Sequence, residues 1–295
     1  MVTKSYFSLQ PAEFKLDGGS MFGIIPKPLW QKVFPPDDLN RIQLSLRVIL
    51  IKSESKNILI DTGIGDYHED YFKERFAINS PNDPFTNALL KIDMTPQDIT
   101  DVIITHLHFD HVGGLIQKVD GKYEAYFPNA TIHVHEKHYQ HAINPSRKDS
   151  GSFLRETFIP VIDYYKNKNR IHWLKENEGT ILENENIKYK CSFGHTPYLV
   201  HPYDEKFLYL ADLIPMATHV KIPWIMAFDN EPVVSAEEKA VFLKWAFENN
   251  LTLIFEHDPF FWGGMLSKKV NKSQEIEYAL IDPFKAKQES CYPIF

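Results

Sequence analysis

The stretch Thr105-His106-Leu107-His108-Phe109-Asp110-His111-Val112-Gly113-Gly114 packs four potential metal ligands into six residues, directly after the apolar run Val102-Ile103-Ile104. A fold that accepts this segment must bring a buried strand to an abrupt end and spill the following residues into a tight loop whose side chains converge. His106 and His108 are two apart, so in extended backbone they project to the same side. Asp110 and His111 follow where the glycine-flanked chain turns, which sends them to a neighbouring position. The spacing therefore predicts two adjacent metals. An isolated pair of histidines reads as chance neighbours on a surface, whereas four ligand types in this strand-to-loop context read as a metal motif.

The rest of the composition narrows the class. A chain of 295 residues with 43% hydrophobic content is long enough to bury a substantial core, since domains commonly hold roughly 100 to 200 residues and layered folds run larger. Lys+Arg 32 against Asp+Glu 39 gives a net charge of -7, with no basic run to track phosphates. Nucleic acid is therefore not an expected partner. The two cysteines, Cys191 and Cys291, provide neither a disulfide framework nor a thiolate zinc site, and fit a reducing, cytoplasmic setting. The first eight residues lack a continuous apolar region, and no segment approaches the ~18 uncharged apolar residues of a membrane span, so no membrane partner is expected.

Alternation over Ile42 to Ile51 predicts a strand, with Asn57-Ile58-Leu59-Ile60-Asp61 as its hairpin partner. Residues 83–92 have helical spacing, and Thr95-Pro96-Gln97-Asp98 carries the cap, proline and first-turn acid of a helix start. Asp120-Gly121 between residues 116–119 and 122–126 predicts a hairpin, and Ala130 to Val134 a further strand. Residues 153–166 form a helical pattern that Pro160 must start, kink or divide. Strands are expected over 187–193, 206–210 and 251–255, and Ser235-Ala236-Glu237-Glu238 is expected to cap a helix reaching Asn249. Helices interleave with hairpin-like strand pairs, which favours layered mixed sheets covered by helices. With no repeat or linker tract, the expected organisation is one domain over 1–295, residues 1–40 forming an N-terminal extension.

Three later positions repeat the pattern of an apolar strand ending in a ligand. They are Phe193-Gly194-His195-Thr196-Pro197, Leu208-Tyr209-Leu210-Ala211-Asp212 and Leu253-Ile254-Phe255-Glu256-His257. Together, the HxHxDH run, Gly-His-Thr-Pro, a strand-terminal Asp and a late His resemble the metallo-β-lactamase superfamily of binuclear hydrolases. The ordered motifs span residues 61 to 257. The resemblance implies an α/β fold of the αββα sandwich type, with metals at one edge of the paired sheets. It implies that His106, His108 and His195 hold one metal, Asp110, His111 and His257 a second, and that Asp212 bridges them. Two divalent ions are implied, zinc first, with manganese, iron or cobalt as alternatives. Asp61, in Ile60-Asp61-Thr62-Gly63, resembles the family acid that accepts a hydrogen bond from a ligand imidazole. Segments 17–23, 26–30 and 255–259 resemble a branch near the lactonases and organophosphate hydrolases. Tyr198 stands where a glycine often follows Gly-His-Thr-Pro, and Leu213-Ile214-Pro215 follows Asp212 where acyl-homoserine lactonases often place a phenol.

Two metals ~3.5 to 4 Å apart share a water and hold it as a bridging hydroxide at neutral pH, without a Ser or Cys nucleophile. On this reading Asp212 orients the hydroxide and Asp110 accepts its proton, cleaving a small ester, lactone or phosphotriester-like molecule. Phe22, Trp30, Phe109, Phe260, Phe261 and Trp262 flank the motifs, and Phe109, between ligands, is the expected substrate contact. His219 is expected to orient a ligand or face the substrate, whereas His133, His135, His138 and His141 are expected to be structural. The competing reading is a mononuclear iron dioxygenase of the persulfide type on the same fold. A homodimer through the aromatic N-terminal segment is a further expectation.

Overall fold

The structure, a computed structural model, describes residues 3–80, 83–270, 274 and 276–295. Met1 and Val2, the start of the segment read for a leader, lie outside them. The first half runs through β1 (Ser5–Asp17), β2 (Arg41–Lys52), β3 (Asn57–Ile60), β4 (Asp101–Ile103), β5 (Ile116–Val119), β6 (Lys122–Ala125), β7 (Thr131–His135) and β8 (Ile171–Leu174). The second adds β9 (Glu178–Leu182), β10 (Ile187–Ser192), β11 (Leu199–Tyr203), β12 (Phe207–Tyr209), β13 (Thr252–Ile254), β14 (Phe261–Val270), β15 (Ile276–Lys285) and β16 (Cys291–Pro293). Among the described residues they form two large sheets, ordered β16-β1-β2-β3-β4-β7-β8 and β15-β14-β13-β12-β11-β10-β9, beside a separate β5-β6 hairpin. The helices are α1 (Gly18–Phe22), α2 (Lys27–Trp30), α3 (Asp70–Phe76), α4 (Pro84–Leu90), α5 (Phe109–Val112), α6 (Glu136–Ile143), α7 (Arg155–Asn167) and α8 (Pro232–Glu248).

Strand β2 shows why the layers form. Successive side chains point to opposite faces, so the continuous apolar run from Val48 to Ile51 must be covered on both. Val48 and Leu50 join a core with Phe85 and Leu89 of α4 and Phe158, Val161 and Ile162 of α7. Ile49 and Ile51 face the other way, into a core shared with Tyr189, Val200 and Phe207 of the second sheet. Helix α8 covers that sheet's outer face, packing Phe242, Leu243 and Ala246 against Leu208, Leu210 and Leu253. The result is the expected αββα layering.

Two local expectations are made more specific, for the N-terminal segment and Pro160, and two are corrected, for the starts at Ser235 and Thr95. The segment expected as an N-terminal extension supplies β1, which pairs with β2 from Ser5↔Lys52 to Asp17↔Arg41 and with β16 on its other side. Its alternation is broken because the register shifts between Leu9 and Ala12, where Pro11 has no N–H to give the ladder. Pro160 neither starts nor divides α7, which continues through it. Pro160 and Glu156, whose carbonyl loses its partner, are both exposed. Helix α8 starts at Pro232 in the first turn, and Ser235 is buried within it instead of capping it. Thr95 and Asp98 do form a reciprocal capping box, yet only one 3-10 turn follows, because Ile99 (φ -71, ψ 122) is already extended toward β4. No described helix is long and apolar enough to cross a membrane. Cys191 and Cys291 are separate buried thiols.

Candidate metal centre

Strands from both sheets end at one edge and deliver the ligand-type side chains there. Beyond β4 the chain gives His106 and His108, and the single turn of α5 presents Asp110 and His111. The loop after β10 carries His195, the 3-10 turn after β12 carries Asp212, and the segment after β13 carries His257. Strand β2 captures this last segment across the sheets: Ser45 and Arg47 donate their N–H groups to the carbonyls of His257 and Glu256, each at 3.1 Å. The buried Arg47 guanidinium adds hydrogen bonds to the carbonyls of Phe255 and Asp258.

The side chains fall into two groups, His106 with His108, His195 and Asp212, and Asp110 with His111 and His257; all are buried. Asp212 lies between them. Its Oδ2 is 3.1 Å from His195 Nε2 and 3.6 Å from His111 Nε2, while its Oδ1 is 3.0 Å from His257 Nε2. Asp110 Oδ2 lies 3.7 Å from His257 Nε2 and 3.9 Å from His111 Nε2.

These rings are aimed inward from behind. His195 Nδ1 donates to Asp229 at 2.9 Å, His257 Nδ1 to the Ser45 carbonyl at 2.9 Å, and His111 Nδ1 to Asp61 at 3.1 Å. His106 Nδ1 donates to Thr105 Oγ1 at 3.0 Å, which in turn donates to Asp61 Oδ2 at 2.7 Å. Asp61 therefore orients two ligand-type rings. With their outer nitrogens protonated, the inner ones present lone pairs. The Nε2 atoms of His106 and His195 lie 3.0 and 3.2 Å from His108 Nδ1, and the buried His111 Nε2, His257 Nε2 and Asp212 Oδ1 lack a hydrogen-bond partner. In their deprotonated forms these converging donors repel unless a cation lies among them, and a nitrogen and carboxylate donor set of this kind fits divalent metals.

The electrostatics follow from burial and neighbours. Burial, then the positive charge of neighbouring imidazoles, holds His106 and His108 well below the usual range. Burial opposes protonation of His111 too, but Glu256, Asp110 and Asp212 carry it well above. Burial likewise disfavours a charged His195 and His257, and the adjacent Asp212 outweighs it, raising each to about 9. Asp212 stays well below its ordinary value despite burial, held there by His257, His111 and His195.

The ligand loops are fixed by close approach. A Cβ on Gly113 or Gly114 would meet the carbonyls of Ile64 and Thr62 at 2.1 and 2.0 Å, so only glycine lets α5 sit against the loop after β3. A Cβ on Gly194 would meet Ser235 N at 2.3 Å, which places the first turn of α8 against the His195 loop. Glu238 of α8 accepts the N–H groups of Phe193 and Gly194. Tyr198 adopts a left-handed conformation (φ 61), and its ring stacks on His135 with centroids 4.6 Å apart. That stacking holds a side chain where the turn favours glycine.

A cavity of about 400 Å³ opens over His108, Asp110, His195 and Asp212. Phe109 lines it, together with Phe76 and Phe228. The other aromatics that flank the motifs are not among its lining residues: Phe22 and Trp30 stack in a core, Phe260 packs on Phe34, Trp262 stacks on Phe284, and Phe261 begins β14. His219 is not among the lining residues; it donates to the Met21 carbonyl at 2.8 Å and stacks on Phe22.

The metallo-beta-lactamase superfamily model matches residues 47–257, most of the chain and every ligand-type residue described. The chain belongs to this superfamily. Within the metallo-beta-lactamase superfamily, it is 26% identical over 134 residues to an N-acyl homoserine lactonase of Bacillus cereus, 42% of this chain and 48% of that protein. A second N-acyl homoserine lactonase, from a Bacillus species, is 27% identical over 165 residues, 53% of this chain and 56% of that protein. The chain thus spans about half the length of the curated relatives it matches. A probable metal-dependent hydrolase from Staphylococcus aureus superposes with a TM-score of 0.79 at 26% identity, over 96% of this chain and 98% of that one. AidC, described as a dizinc quorum-quenching lactonase, superposes at 0.70 and 21% identity, over 95% of each chain.

On this superfamily scaffold, sequence reasoning missed several supporting residues. Glu256 Oε2 lies 3.1 Å from His111 Nδ1, beside the Asp61 contact, and burial raises its pKa to about 7. Its one sequence signal is adjacency to His257. Asp229, which orients His195, has no spacing signal, and Glu238, which holds its loop, is legible only as part of an apparent helix cap.

Proposed function

We propose that this chain is a binuclear metal-dependent hydrolase that cleaves a small ester, lactone or phosphotriester-like molecule. The observation that carries the reading is Asp212, whose two oxygens lie 3.1 Å from His195 Nε2 and 3.0 Å from His257 Nε2. One carboxylate thereby reaches a ring of each group, which supports a shared role. His106, His108 and His195 would hold one ion and Asp110, His111 and His257 the other, with Asp212 shared. Zinc is the first choice of ion. When bound, such a pair lowers the pKa of water and polarises the oxygen of a carbonyl or phosphoryl group.

The chain's own residues supply the rest. Asp212 orients the attacking water, and Asp110, which lines the cavity, accepts its proton and returns it to the leaving group. Asp61 and Asp229 keep the ligand rings turned inward. Phe76, Phe109 and Phe228 line the cavity and exclude water from the apolar part of a small substrate. Lactonases among the named relatives support an acyl electrophile. Leu213 and Ile214 have hydrocarbon side chains, so neither donates to a developing oxyanion. The completeness of the Asp110, His111 and His257 group favours two ions over the mononuclear iron dioxygenase reading.

Metal analysis by mass spectrometry, paired with an activity panel of lactones, aryl esters, phosphotriesters and β-lactams, tests this function. Two ions per chain and hydrolysis that vanishes in Asp212→Ala are expected. One iron per chain without hydrolysis, or full turnover by metal-free protein, would overturn it.

A further inference from the structure

We propose that Arg75 recognises an anionic group on the substrate, and that the natural substrate is an ester or lactone carrying a carboxylate a short apolar span from the bond cleaved. The inference rests on the hydrolase reading for the reaction, but its geometric basis is independent. Lys15, Arg41 and Arg75 line the same cavity as His108, Asp110, His195 and Asp212. The first two are committed. Lys15 Nζ lies 3.3 Å from Asp37, and Arg41 Nε and Nη2 lie 3.1 and 3.0 Å from the same carboxylate. Arg41 Nη1 is used on the carbonyls of Glu74 and Arg75, at 3.0 and 2.9 Å. Asp17, the acid on this side of the cavity, accepts from Asn40 Nδ2 at 2.7 Å and from the Ser20 N–H at 2.8 Å.

Arg75 differs. Among the described residues its guanidinium has no carboxylate or carbonyl partner, and it lies over the Phe76 ring with 5.2 Å to the centroid. Phe76 packs 5.1 Å from Phe109, between the metal ligands. A free planar fork is therefore joined by an aromatic wall to the reacting end of the cavity. The Arg41 bonds to Glu74 and Arg75 fix the backbone at the end of α3, so the fork starts from a set position. A guanidinium fork pairs with carboxylate through two parallel hydrogen bonds. In a chain of net charge -7, the overall field does not gather anions, so recognition of one must be local.

The test compares para-nitrophenyl butyrate with mono-para-nitrophenyl glutarate on metal-loaded wild type, Arg75→Met and Arg75→Lys. Wild type should prefer the glutarate ester through a lower KM. The ratio of kcat/KM between the two esters should fall about tenfold or more in Arg75→Met, as expected for losing a charge-assisted hydrogen bond, and recover partly in Arg75→Lys. Because Arg75 is exposed, added salt should shrink the preference. Calorimetric binding of glutarate against butyrate separates the two ideas. Discrimination by wild type that Arg75→Met loses upholds Arg75 even where neither ester is cleaved, and the hydrolase reading alone then falls. Equal binding of the two acids by wild type, or an ester preference unmoved by Arg75→Met, overturns the proposal whether or not turnover is seen.

Discussion

The Leu107 N–H donates to His138 Nε2 at 2.8 Å, and the opposite nitrogen of that ring, Nδ1, donates to the Pro197 carbonyl at 2.8 Å. Leu107 lies between His106 and His108, and Pro197 two residues beyond His195. One imidazole thus joins ligand loops that belong to different sheets. Burial pushes His138 down to about 3, so the ring is neutral and can accept at one nitrogen while donating at the other.

His138→Ala should therefore cost more than a core histidine usually does. It leaves a buried amide and a buried carbonyl without partners, a loss of about 2–6 kcal/mol when each costs about 1–3 kcal/mol. Because the ligand loops would drift, metal affinity should fall ~10–100-fold as well. Thermal unfolding and competition with a chelator would read the two effects separately, and unchanged metal affinity would reduce His138 to a packing residue.

Asp61→Asn probes orientation at constant volume. Asp61 Oδ1 accepts the Thr105 N–H at 2.8 Å, while Oδ2 takes both the Thr105 hydroxyl and His111 Nδ1. An amide supplies one acceptor oxygen and turns a donor toward one side, so the Thr105 or the His111 contact must break. Metal affinity should drop ~10-fold or more with secondary structure intact by circular dichroism. Equal affinity in the variant would contradict the orienting role.

Gly194→Ala should disturb the His195 loop through sterics alone. The new methyl would sit 2.3 Å from Ser235 N, and neither the rigid first turn of α8 nor the loop it contacts can yield cheaply. A loss of about 1–3 kcal/mol is expected from overpacking, together with reduced activity. Comparison of the urea midpoint and turnover with wild type would check it; a neutral variant would mean that the loop has slack.

What could be read from the sequence depended on whether a signal was local. His106, His108, Asp110 and His111 announce themselves because one short segment holds them, and His195, Asp212 and His257 repeat a strand-then-ligand rhythm. The layered core was legible because helical patterns interleave with hairpin-like strand pairs. Strand β1 escaped because Pro11 breaks its alternation, and the start of α8 was misplaced because Ser235 looks like a cap while Pro232 supplies the first turn. Phe76 and Arg75 gave no signal, since α3 reaches the cavity only through tertiary contacts such as the Phe76–Phe109 pair. Supporting acids such as Glu238 are separated from what they hold by 44 or 45 residues, and no periodicity encodes such a contact.

Acid should destabilise the protein through buried histidines that are not among the ligand-type residues. Burial lowers His68 to about 4, although its hydrogen bond to the Ile64 carbonyl at 2.8 Å works the other way, and the ring stacks on Phe72 with centroids 4.1 Å apart. In the unfolded chain the same group titrates near 6.5. The unfolded state therefore binds more protons between these values, so the contribution is fully present above pH 6.5 and is lost as pH falls toward 4. The full loss approaches about 3 kcal/mol at 1.36 kcal/mol per unit. His201, lowered to about 3 by burial beside Phe242, acts in the same direction. His68→Gln keeps a donor for the Ile64 carbonyl but cannot titrate. Urea unfolding between pH 7.5 and 4.5 should show a shallower decline for this variant than for wild type, and parallel declines would assign the acid sensitivity to other groups.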